Sequence, residues 1–132
     1  MNRKNAPTLL IVEDDKSLRN TLVHYFDADF EVIAVGTGEE AIHAIGSLTK
    51  INLLLTDFDL RGDLDGLDVA CAMKARDPET PILLVTGSGV TLPRVQELLS
   101  TPNTVMLEKP FEPADLERAA HALLAQAAGR MP

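Results

Sequence analysis

The chain has 132 residues, is 45% hydrophobic and carries a net charge of −8, which is enough apolar material for one domain to close a core without metals or disulfides. This excess of carboxylates repels a phosphate backbone and argues against direct nucleic-acid binding, and no apolar run approaches the roughly 20 residues needed to cross a bilayer. The single Cys71 cannot form an internal disulfide and no secretory signal pattern opens the sequence, so a reducing cytoplasm is the expected compartment.

Short β-rich apolar runs alternate along the chain with segments of helical period. The first strand is expected at 8–12, followed by a helix over 16–28 with Leu18, Leu22, Tyr25 and Phe26 on one face. A second strand at 30–35 leads to Thr37-Gly-Glu-Glu40, a capping box in which the Thr hydroxyl takes an exposed amide and Glu40 reaches back. Ala41, Ala44, Ile45 and Leu48 form the stripe of the helix that follows. The third strand, 51–56, lacks the polar alternation of a strand with one wet face and is placed centrally. A third helix is marked by Leu67, Ala70 and Cys71, with Cys71 expected as a small core residue. Strand four spans 81–86, and helix four carries Val95, Leu98 and Leu99. Strand five spans 104–108, and Pro113 suits the first turn of a fifth helix bearing Leu116, Ala119, Ala120, Leu123, Leu124 and Ala127. Asp77-Pro78 and Thr101-Pro102 break the chain between elements.

Strict strand and helix alternation predicts an α/β fold: a doubly wound, five-stranded parallel sheet with helices on both faces, because parallel neighbours need right-handed crossovers. The domain is expected over 8–128, with tails at 1–7 and 129–132 and no attached effector domain.

In such a sheet functional groups collect beyond the carboxyl ends of the strands, where strand order reverses. Those ends carry Glu13-Asp14-Asp15, Asp57, Thr86-Gly87-Ser88 and Glu108-Lys109-Pro110. Two carboxylates about 5 Å apart repel by roughly 3 kcal/mol at an effective dielectric of 20, so the cluster calls for a cation. Oxygen ligands with room for water suit Mg²⁺, with Asp14 and Asp57 as the candidate ligands. A carboxylate can attack a phosphoryl group to give an acyl phosphate, and Asp57 is the candidate nucleophile. The Lys109 ammonium can pair with Asp57 before transfer and with a phosphoryl oxygen after it, while the Thr86 hydroxyl donates to another oxygen. Asp15 reads as the cap of the first helix. His24, His43 and His121 read as ordinary surface histidines.

Leu9-Leu-Ile-Val-Glu-Asp-Asp15, Leu55-Thr-Asp57, Val85-Thr-Gly87 and Glu108-Lys-Pro-Phe111 together resemble the response-regulator receiver domain over nearly the whole chain. The resemblance implies a flavodoxin-like (βα)5 fold with strand order 2-1-3-4-5. It also implies an Asp57 phosphoacceptor and Mg²⁺ held by Asp14, Asp57 and the backbone carbonyl of Asp59, with Glu13 acting mainly through metal-bound water. Thr86 and Lys109 would hold the phosphoryl oxygens, and the Lys109-Pro110 peptide would be cis. A histidine kinase or histidine phosphotransfer protein would be the donor, slow self-catalysed hydrolysis would reset the switch, and a downstream protein would read the surface of helix four, strand five and helix five. A homodimer through helices four and five is compatible with this, as is origin in a hybrid kinase.

Two positions depart from the family pattern. Met106 stands at the usual switch aromatic and offers a flexible apolar side chain able to repack without acting as a two-position rotor. The loop Leu60-Arg-Gly-Asp-Leu-Asp-Gly66 lacks the common proline and is one residue longer than usual. Asp59 and Ser88 sit where side chains modulate phosphoryl lifetime in the family. Two other readings remain open: a phosphate-independent interaction module, and a phosphatase, since Asp57-Phe-Asp59 resembles the DxD motif of haloacid dehalogenase-type enzymes.

Overall fold

The computed structural model describes residues 6–87 and 93–129. Its strands β1 (Thr8–Val12), β2 (Glu31–Val35), β3 (Leu53–Asp57), β4 (Ile82–Thr86) and β5 (Thr104–Glu108) pair in parallel in the order β2-β1-β3-β4-β5. Between and after them run α1 (Lys16–Phe26), α2 (Gly38–Ser47), α3 (Gly66–Arg76), α4 (Pro93–Leu99) and α5 (Pro113–Gly129). Every residue of β3 and β4 is buried, as expected of inner parallel strands covered on both sides. No helix among the described residues is long and apolar enough to cross a membrane.

Successive side chains of a strand point to opposite faces, and this divides the core in two. Leu9, Ile11, Leu53, Leu55, Leu83 and Val85 meet Leu22 and Phe26 of α1 and Leu116, Ala120 and Leu123 of α5. Leu10, Val12, Leu54, Ile82 and Leu84 point the other way, into α2, α3 and α4.

The caps explain where helices start. The Asp15 carboxylate accepts the Leu18 amide at 3.0 Å, and the Thr37 hydroxyl accepts the Glu40 amide at 3.0 Å. Glu40 reaches back one residue further than the sequence pattern suggests, to the Gly36 amide at 3.1 Å. A second reciprocal box, unanticipated, opens α3: Asp65 accepts from the Asp68 amide and Asp68 from the Asp65 amide, both at 2.9 Å.

Three details differ from expectation. Helix α1 stops at Phe26 because Phe30 turns back to bury its ring edge-on against Phe26, with centroids 5.6 Å apart. Strand β3 starts two residues late because Asn52 spends its side chain and its amide on Thr8, at 2.8 and 2.9 Å. Cys71 is exposed; the buried arc of α3 runs through Gly66, Leu67, Val69, Ala70 and Met73, and a further turn of about 100° past Ala70 carries Cys71 off it.

Gly66 fixes how closely α3 approaches the sheet. A Cβ there would fall 2.7 Å from the Phe58 Cα and closer still to the Asp57 carbonyl oxygen. Gly66→Ala is therefore expected to cost about 3 kcal/mol through backbone overpacking. Gly46→Ala, at a helical position with open space around it, should gain about 0.5–1 kcal/mol. Urea midpoints of the two variants check both signs.

Candidate functional site

Strand register brings the polar strand ends together. Val12 pairs with Thr56, Asp57 with Val85 and Thr86 with Glu108. The pairing continues past the strands: the Glu13 amide donates to Val35 at 3.1 Å, Phe58 to Val85 at 2.7 Å and Lys109 to Thr86 at 2.8 Å. Glu13, Asp57, Thr86 and Lys109 therefore leave a backbone that is already hydrogen-bonded.

At this rim Glu13, Asp14 and Asp57 each offer a carboxylate oxygen, and the three oxygens lie within 4.8 Å of one another. Asp57 is 3% exposed. One of its oxygens accepts from Lys109 Nζ at 3.1 Å and the other from the Asp59 amide at 3.2 Å. Burial alone would lower the Lys109 pKa, but the hydrogen bond and charge of Asp57, then the charges of Glu13 and Asp59, raise it above the usual lysine value. Glu13, also buried, is pushed up to about 7. Desolvation is the main cause and the negative charge of Asp57 adds to it, against the Asp15 amide and the Lys109 charge. The Asp15 amide reaches Glu13 Oε2 at 3.0 Å, and Arg19 Nη1 donates to the Glu13 carbonyl at 2.8 Å.

The donor set fits a hard divalent cation. It consists of carboxylate oxygens alone, it is crowded with like charge, and one member is driven towards its neutral form. Thr86 is fully buried at the end of β4. Gly87 beside it is exposed, and a Cβ there would reach only to 3.9 Å from Asp59 Oδ2, which keeps the mouth of the site open. Asp59 is itself exposed. The Lys109-Pro110 peptide is cis. Met106, opposite Leu84 in register, packs partly buried against the core beneath α2, α3 and α4. Ser88 lies outside the described residues.

Two groupings escaped the sequence. Arg61 donates its amide to Asp14 Oδ2 at 3.1 Å and holds its Nε 3.5 Å from the same oxygen. On the opposite side of the sheet His121 lies 3.5 Å from Asp29, tilts against the Phe30 ring and has Glu117 within ligating range. His24 and His43 are exposed. Neither pairing, Arg61 with Asp14 or His121 with Asp29, follows from spacing, because its two members are far apart in the chain.

The profile of the response regulator receiver domain matches residues 9–121. The chain is 34% identical over 120 residues to the transcriptional activator protein PfeR of Pseudomonas aeruginosa, covering 90% of this chain and 38% of that one. It is 32% identical over 126 residues to protein PetR of Rhodobacter capsulatus, covering 94% and 51%. It thus spans about half or less of the length of these relatives. A crystal structure of a response regulator receiver protein from Sinorhizobium medicae is similar at 31% identity and TM-score 0.82, covering 94% of this chain and 98% of that one. A CheY-like receiver domain from Methanospirillum hungatei, at 23% identity, TM-score 0.85 and coverage of 96% and 100%, shares the fold.

The Glu13 shift gives a signed prediction. The folded chain keeps this proton to about pH 7, whereas the ordinary glutamate value is 4.5. The resulting stabilisation is complete below the unfolded value and is lost as pH rises through the folded one. Without divalent metal, the denaturation midpoint should fall between pH 5 and 8, and Glu13→Gln should flatten that fall. An equally steep fall in Glu13→Gln would refute the assignment.

Proposed function

We propose that this chain, which belongs to the response regulator receiver domain family, is a phosphorylation-controlled switch that accepts a phosphoryl group on Asp57. The observation that carries this reading is the buried Asp57 carboxylate, held 3.1 Å from Lys109 Nζ inside a three-carboxylate cluster. A carboxylate oxygen of Asp57 attacks phosphorus, the P–N bond of a phosphohistidine donor breaks, and the imidazole nitrogen leaves with that bond's electron pair. Asp14 and Asp57, with the Asp59 carbonyl, would hold Mg²⁺, and Glu13 would act through its water. Bound there, the ion supplies the positive charge that offsets the cluster and the incoming phosphoryl oxygens.

Lys109 holds the resting Asp57 and, after transfer, turns to a phosphoryl oxygen. The Thr86 hydroxyl donates to another oxygen. The backbones of these two residues are joined by the Lys109 amide to the Thr86 carbonyl, so a pull on both side chains moves the ends of β4 and β5 together. This favours one of two pre-existing conformers and changes the surface of α4, β5 and α5. Met106, packed partly buried against the core that includes α4, accommodates the change by repacking. Water hydrolyses the acyl phosphate slowly and resets the switch.

On this reading residues 8–128 form a regulatory domain rather than an enzyme, working in the cytoplasm. Its partners are a histidine kinase or histidine phosphotransfer protein and a downstream protein. The relatives named above include a transcriptional activator much longer than this chain. With a charge of −8, direct nucleic-acid contact falls to other segments or partners.

Intact mass after incubation with a small-molecule acyl phosphate tests the reading. Addition of one base-labile phosphoryl group is expected, dependent on Mg²⁺ and absent in Asp57→Asn. Rapid multiple-turnover release of phosphate would instead indicate a DxD phosphatase, and no modification would indicate a phosphate-independent interaction module.

A further inference from the structure

The connection from β3 to α3, residues 58–65, carries a cation to the edge of the carboxylate cluster. We propose that Arg61 is a positioning residue that neutralises Asp14 when no metal is bound, and that a divalent cation must displace it, so that Arg61 sets the metal affinity of the site. This rests on the reading of Asp14 as a metal ligand.

Both the charge and the amide of Arg61 come onto one oxygen: Asp14 Oδ2 accepts the amide at 3.1 Å and lies 3.5 Å from Nε. The Asp14 side chain is 16% exposed and that of Arg61 84%, so the carboxylate is sheltered while its counter-charge stands at the entrance. Lys109 faces Asp57, leaving Arg61 as the side-chain cation recorded against Asp14 among the described residues.

The loop that presents Arg61 is braced at both ends. The amides of Leu60 and Gly66 donate to the Phe58 carbonyl at 3.2 and 2.9 Å. Leu64 is seated on Gly38 so closely that a Cβ there would lie 2.7 Å from the Leu64 Cβ. Directly after Arg61, Gly62 takes φ 101°, a conformation that favours glycine. The backbone path therefore brings Arg61 to Asp14.

A cation approaching Oδ2 meets the Arg61 hydrogen bond and like charge together. Arg61 therefore competes with the metal for this oxygen. Because the guanidinium is exposed, solvent screening keeps the effect modest.

Mg²⁺ titration of the full chain, followed by calorimetry and by amide resonances, tests the proposal. Arg61→Ala should bind Mg²⁺ about two- to fivefold more tightly than the natural chain, with Arg61→Lys between the two. In the natural chain the Arg61 amide should shift with the same midpoint as that of Asp14, and unchanged Gly38 and Leu64 resonances in Arg61→Ala would show that the loop keeps its seat. Equal affinities in all three proteins, or an Arg61 amide that stays still while Asp14 moves, would overturn the role of Arg61 and leave the metal reading standing. Absence of Mg²⁺ binding in every variant would overturn the metal reading and this proposal with it.

Discussion

Crowded negative charge is the constraint around which the rest of this molecule is organised. Three carboxylates converge to within 4.8 Å at the rim of the sheet, and two of them, Glu13 and Asp57, are almost entirely removed from water. Like charges in a low-dielectric setting must be neutralised, protonated or bridged by a cation. Lys109 pairs with Asp57, Arg61 approaches Asp14, and Glu13 is driven towards its protonated form. A site balanced in this way responds strongly to any added charge.

Such repulsion can be sustained only on a rigid frame. Strands β1, β3 and β4 are buried on both faces by two separate apolar layers, and the hydrogen-bonded ladder runs on past each strand end to Glu13, Phe58 and Lys109. The close approach of α3 at Gly66, against the backbone of Asp57 and Phe58, holds β3 from the other side. Backbone and core together keep the carboxylates from relaxing apart.

The route from the site to the surface is short. Thr86 and Lys109 end adjacent strands and are bonded to one another through the main chain. Met106, on β5 opposite Leu84, is an unbranched side chain that can change rotamer in place. Val105, at 39% exposure, is the large apolar residue left open to solvent among those described, and it lies on the same strand, β5. Asp57 is thus joined through Lys109 and Thr86 to the end of β5, the strand that carries Val105.

The alternation of apolar runs and helical stripes was sufficient to read the parallel sheet and the rim to which its strand ends bring Asp14, Asp57, Thr86 and Lys109, because in this architecture the end of a strand is also a place in space; the strand order came only with the resemblance to the receiver family. Asp15 and Thr37 were legible as caps for a similar reason, since capping is local and needs only a few neighbouring residues. Tertiary structure alone decided the rest. Cys71 left the core because a small rotation of α3 sets which arc is buried, and Phe30 ended α1 early by turning back onto Phe26. Arg61 reached Asp14 across 47 positions of chain, and His121 found Asp29 and Phe30 across the gap between α1 and α5. Those contacts depend on the path of a loop or the docking of one helix beside another, and no periodicity encodes either.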